Sequence, residues 1–187
     1  MNRFRIASAV ALFALGAAAL AQQTVENAEF KNWSKFEKGT SVTLKNVTTS
    51  GDIKSESIIT TTLVEVGADK LVLEMAVTAK LNGMEFKNPP MKRDVTKTVT
   101  LPAGTPKPDP KAKPEGTVEE GTETLKIGGT EYKTKWYKTK VKAGGADTES
   151  KVWTSDDVPG TIVKMETTSA GASPVTIKME VVEVKKP

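Results

Sequence analysis

The chain has 187 residues, 37% apolar and 27% charged, with a formal net charge of +4 and neither cysteine nor histidine. Those two absences exclude disulfides, thiolate nucleophiles, Ser-His-Asp triads, and zinc or copper sites built on imidazole or sulfur. What stays open is carboxylate, hydroxyl, lysine or tyrosine chemistry, or no chemistry.

Residues 1–21 read as a signal peptide. Arg3 and Arg5 precede an apolar run from Ile6 to Leu20, which ends in Ala19-Leu20-Ala21, the small-x-small pattern of a cleavage site. The run is shorter than the ~20 residues of a spanning helix, and no cysteine follows it to take a lipid. Residues 22–187 are then one exported, soluble, β-rich domain without a transmembrane anchor. Loss of Arg3 and Arg5 leaves 25 basic and 23 acidic side chains, too balanced for nucleic-acid binding. Arg93 is the only arginine left, which argues against phosphate recognition by arginine forks.

Glu26 to Lys38 predicts a short helix, with Phe30, Trp33 and Phe36 three residues apart on one stripe. Such a stripe covers an open face of the protein's own sheet more readily than it binds a partner. Strands follow at Thr40–Thr49, Ile53–Val66 and Lys70–Leu81. The last places Leu71, Leu73, Met75, Val77, Ala79 and Leu81 on one face and Lys70, Glu74, Thr78 and Lys80 on the other. Lys92–Leu101 is the next strand. Residues 102–116, with prolines at 102, 106, 108, 110 and 114, form an extended, solvated loop.

Strands resume at Thr117–Ile127, Thr130–Lys142, Glu149–Thr154, Thr161–Thr168 and from Val175 to Val181. In the last, Val175, Ile177, Met179 and Val181 again share a face. Ser50-Gly51-Asp52, Gly67-Ala68-Asp69, Asn82-Gly83, Gly128-Gly129 and Gly144-Gly145 punctuate the series as hairpin turns. The fold class is therefore all-β: a single antiparallel meander of about nine strands in a curved sheet or half-barrel, with one short N-terminal helix.

Motif tests mostly remove functions. The chain has no Gly-x-Gly, no Gly-Lys-Ser/Thr, no Ser-x-x-Lys, no Asp-x-Asp and no Asp-Thr-Gly or Asp-Ser-Gly. Asp156-Asp157 offers two carboxylates to a hard cation, but Val158-Pro159-Gly160 reads as a type II turn with Gly160 at positive φ. Tyr132 to Lys142 interleaves aromatics with lysines, as a single-strand nucleic-acid platform does. The same lysines also guard a strand against edge-to-edge aggregation. Glu119 and Glu120 are adjacent, so a strand turns them to opposite faces, poor geometry for an acid–base pair. Asn32-Trp33-Ser34 and Asn46-Val47-Thr48 match the glycosylation sequon, with little weight for a chain whose short alanine-rich signal reads as bacterial.

Gly128-Gly129-Thr130-Glu131-Tyr132 through Trp136, and Lys151-Val152-Trp153-Thr154-Ser155-Asp156-Asp157-Val158-Pro159-Gly160-Thr161-Ile162-Val163-Lys164, resemble a pattern of bacterial exported proteins. With the meander, they are similar to the half-barrel periplasmic proteins related to the lipoprotein carrier LolA. That resemblance implies a curved antiparallel sheet whose concave face, under a helix, takes acyl chains. Phe30, Trp33 and Phe36 would be the cover. The Pro-rich segment departs from the family's plain pattern, as does the single mature arginine.

The expectation is a non-enzymatic, exported, periplasmic or secreted protein without a cofactor. It holds a hydrophobic or acylated ligand against Phe30, Trp33, Phe36, Leu71, Leu73, Met75, Val77, Val175, Ile177 and Met179. The alternative is a structural or protein-interaction module of the envelope with a filled core, meeting another envelope protein through its Pro-rich loop or lysine strand.

Overall fold

A computed structural model describes residues 22–81, 83–109, 112–143, 146–171 and 173–187. The signal-peptide reading of residues 1–21 lies outside the described residues, as do Asn82, Pro110, Lys111 and the Gly144-Gly145 turn.

In chain order the elements are β1 (Gln23–Glu26), α1 (Ala28–Trp33), β2 (Ser41–Ser50), β3 (Ile53–Val66), β4 (Lys70–Leu81), β5 (Met84–Thr96) and β6 (Thr98–Leu101). They continue with β7 (Thr117–Ile127), β8 (Thr130–Ala143), β9 (Ala146–Thr154), β10 (Ile162–Ala170) and β11 (Val175–Lys185). β1 and β6 form a two-stranded antiparallel ribbon. The other nine strands form one open antiparallel sheet in the order β5-β4-β3-β2-β11-β10-β9-β8-β7. The fold is thus two meanders whose inner strands, β2 and β11, pair through the middle of the sheet.

Local chemistry accounts for most boundaries. α1 starts where the Asn27 side chain accepts from the Glu29 N–H, 3.0 Å away. It ends in tightened turns from Lys35 N–H to Asn32 and from Phe36 N–H to Trp33, so the regular helix is shorter than the Glu26 to Lys38 stripe. β5 begins eight residues before the Lys92 start read from sequence and runs through Pro89 and Pro90. Prolines are tolerated there because β5 is an edge strand, bulged opposite Met75 and Val77. β6 is the separate end of that expected strand, turned away to meet β1.

α1 lies across one end of the sheet. Phe30 and Trp33 are buried against Val42, Leu63, Leu71, Leu73, Val95, Val158, Val163 and Val181. At one side Arg93 of β5 makes a two-pronged ion pair with Glu29, one prong being a 2.9 Å hydrogen bond. On the other side Asn32, itself buried, clasps the β9–β10 loop. Its amide nitrogen donates to the carbonyls of Asp156 and Val158, and its oxygen accepts from the Gly160 N–H at 2.7 Å.

β5 and β9 stand six strand spacings apart, roughly 29 Å in a flat sheet. A helix of 6 residues is only about 9 Å long. One short helix holds both only because the sheet curls around it, with α1 on the concave side. The β9–β10 loop meets α1 through Gly160 at φ 82° and Thr161 at φ 65°, where the threonine is a strained left-handed residue.

Asn32→Ala should destabilise the protein by about 3 kcal/mol, because two carbonyls and an N–H lose their partner in a buried loop. Urea unfolding followed by circular dichroism checks this, and a loss below about 0.5 kcal/mol would remove Asn32 from the role of clasp.

Candidate ligand-binding face

Residues paired across an antiparallel ladder point to the same face, so the register sorts every side chain. The concave face carries Val42, Leu44, Asn46, Thr48 and Ser50 of β2 and, opposite them, Thr61, Ile59, Ser57, Ser55 and Ile53 of β3. β4 adds Leu73, Met75, Val77, Ala79 and Leu81, and β5 adds Met91, Asn88, Phe86 and Met84. β11 contributes Val181, Met179, Ile177 and Val175. Beyond it lie Met165, Thr167 and Ser169 of β10, Val152, Ser150 and Thr148 of β9, and Tyr137, Thr139 and Val141 of β8.

In the half of this face away from α1, the described residues of β2–β5 and β8–β11 include no charged side chain. The charges of the same segments all take the convex face: Lys45, Lys54, Glu56, Glu74, Lys80, Glu85, Lys87, Lys138, Lys140, Glu149, Lys151, Glu166 and Lys178 among them. The charges on this face nearest this half are Lys135 of β8, two residues from Tyr137; Arg93, spent on Glu29; and Glu120 on edge strand β7, paired with Lys113 at 2.6 Å. Lining it with methyl, thioether and hydroxyl groups makes this half a surface where an unpaired charge would be costly to bury.

The ten residues singled out in the sequence fall into two groups. Phe30, Trp33, Leu71 and Leu73 are buried in the core at the α1 end, and Phe36 packs against it half-buried, 6.3 Å ring to ring from Trp33. They wall off one end of the face. Met75, Val77, Val175, Ile177 and Met179 lie half-buried on the same face beyond that wall.

Sequence reasoning missed the apolar rim beside them. Met84, Phe86 and Met91, at 60%, 51% and 58% exposure, turn to the same face of the β4–β5 hairpin as Leu81, which the sequence pattern already places there and which is 41% exposed. The signal was available in the i, i+2 spacing of Met84 and Phe86, but the following Pro89-Pro90 obscured the strand.

The other candidates resolve as structure. Asp156 and Asp157 sit exposed on the β9–β10 loop, with Lys35 3.8 Å from Asp156. No group of three or more Asp or Glu among the described residues is arranged to hold a metal ion. Tyr132 and Trp153 are buried on the face of the later arm opposite Val152 and Tyr137, in one core cluster with Phe30 and Trp33, and Trp136 packs beside them. Trp136 lies so close over Gly121 that a Cβ there would come within 2.6 Å of its ring.

The lysines of the aromatic strand are already engaged. Lys138 and Lys140 reach Glu149 at 2.8 and 3.1 Å, and the Lys151 ammonium stands 3.9 Å from the Trp136 ring centre. A depression of about 690 Å³ at the far end of the same arm is lined by Lys140, Lys142, Asp147 and Glu149, whose charges pair with one another.

Hydrogen bonds from Lys138 and then Lys140 hold the Glu149 carboxyl below its ordinary value of 4.5. A carboxyl lowered by folding contributes stability above that ordinary value and loses it as pH falls through the lowered one. Glu149→Gln should therefore reduce stability at pH 7 and flatten the acid side of the stability profile below about pH 4.5. Thermal melts from pH 2 to 8 check this, and parallel profiles for both proteins would overturn it.

No protein-family model and no curated protein matches this chain, so its function is read from the face itself.

Proposed function

We propose that this is an exported, non-enzymatic binding protein that carries a hydrocarbon or acylated ligand on the uncovered half of its concave face. The observation that carries this reading is the sorting of charge. Among the described residues of β2–β5 and β8–β11, the face opposite the lysines and glutamates carries no charge in the half beyond α1, and Leu81, Met84, Phe86 and Met91 stand exposed on it. Monomeric proteins seldom leave such a contiguous apolar patch to water unless something docks there.

The curvature around α1 supports the reading, since a concave surface removes more of a ligand from water than a flat one. Export rests on the basic start, apolar run and Ala19-Leu20-Ala21 end of residues 1–21. The absence of cysteine and histidine, with strand carboxylates salt-bridged on the far face, supports a binding role over catalysis.

Phe86 and Met91 are exposed, so Phe86→Asp and Met91→Asp should leave the melting temperature within a few degrees of the parent. Each places a carboxylate on the charge-free face and should weaken binding of a pyrene-labelled alkane at least about tenfold. Native mass spectrometry of detergent-free protein should show an extractable adduct in the parent and less of it in the variants. A bare parent that ignores the probe would favour the module with a filled core. Expressed with its first 21 residues, the chain should be recovered from the exported fraction beginning at Gln22; an intact Met1 start would remove the export reading.

A further inference from the structure

The chain has only two glutamines, Gln22 and Gln23, and both follow Ala19-Leu20-Ala21 directly. The cut that export implies at Ala21 leaves Gln22 as the first residue of the mature chain. Gln22 is exposed and stands outside the β1–β6 ladder, which begins with Gln23 paired to Leu101. Its new α-amine and its own side-chain amide are therefore free to meet. An α-amine titrates near neutral pH, so a fraction of it is always present as the neutral nucleophile. Attack of that nitrogen on the Gln22 side-chain carbonyl carbon closes a five-membered lactam. One amine proton passes to the departing amide nitrogen, which leaves as ammonia. The reaction consumes no oxidant, metal or second substrate.

What lies behind Gln22 gives this end its weight. β1 and β6 are joined by four residue pairs in a ribbon separate from the nine-stranded sheet. A two-stranded pairing is marginal in water and frays from its open end. At its inner end the Asn27 N–H donates to the Lys97 carbonyl at 2.8 Å, and the Asn27 side chain caps α1. Residues stripped from a free N-terminus would shorten this ribbon toward the helix that carries Phe30, Asn32 and Trp33. An aminopeptidase needs a free α-amine, and the lactam has none.

Resting on the export reading above, we propose that Gln22 is a modification site, converted by its own α-amine to pyroglutamate once residues 1–21 are removed. The uncharged ring closes the chain end to aminopeptidases and so preserves the ribbon that anchors α1. Gln23 does not react while Gln22 precedes it, because its nitrogen is then a peptide amide.

The test expresses the full chain with its first 21 residues and recovers it from the exported fraction. Its N-terminal peptide is then fragmented in a mass spectrometer, and the intact protein is exposed to an aminopeptidase. The peptide should begin at residue 22 and be one ammonia lighter than its sequence, with the loss on the first residue. The aminopeptidase should release nothing from this protein. Gln22→Ala leaves every pair of the ladder in place and keeps its amine, so the enzyme should trim that variant into β1. A peptide that begins at Gln22 and keeps its full mass after prolonged incubation at neutral pH overturns the proposal and leaves export standing. A Gln22→Ala protein as resistant as the parent overturns the protective role. A chain that still begins at Met1 overturns the proposal and the export reading together, and any other first residue overturns the proposal and moves the cut.

Discussion

The clasp between Asn32 and the β9–β10 loop is the constraint on which the rest of the architecture depends. One buried amide meets two carbonyls and an N–H of a loop, while Glu29 of the same helix grips Arg93 on the opposite arm. Together they fix the distance between strands that a flat sheet would hold far apart. The curl of the sheet follows, and with the curl comes an inside and an outside. Without α1, Phe30 and Trp33 would leave the core, and Leu71, Leu73 and Val95 would face water.

Given an inside, register decides what it is made of. In the far half of β2–β5 and β8–β11 the charged residues described alternate to the other face, and the pairing carries that choice from strand to strand. A slip of one residue in any ladder would exchange methyl groups for lysines across the whole face. The bulges at Leu63/Glu65 and Val181/Glu183 sit toward the helix end and that at Met75/Val77 within the open half, where they add twist without changing which side the far residues take. The ion pairs of the outer surface are exposed and individually weak, and they serve more to keep that surface wet than to hold the fold.

Much of this was legible in the residues. The alternation from Leu71 to Leu81 and from Val175 to Val181 marks the strands and their inner face, and Phe30, Trp33 and Phe36 mark the covering helix. Gly160 after Pro159 reads as a turn with positive φ, and its φ is 82°. Three things were not legible, each for a physical reason. The pairing of β2 with β11 joins segments over a hundred residues apart, and no local pattern records which edges meet. β5 was truncated because Pro89 and Pro90 look like a break until the strand is known to be an edge. Asn32 stood out only as a sequon, since nothing in a sequence tells an asparagine that clasps a loop from one that does not. The candidate site shifted accordingly, from the buried leucines at the helix end toward Met84, Phe86 and Met91.

The seam between β2 and β11 has a consequence for the order in which the molecule comes into being. β2 leaves the ribosome well over a hundred residues before β11, its partner. The early arm can pair its own neighbours in turn, yet β2 must wait with one side open until Val175–Lys185 arrives. Until then the concavity has no middle, and Val42 has no Val184 across from it. Completion of the sheet is therefore gated by β11, a long-range closure that slows folding.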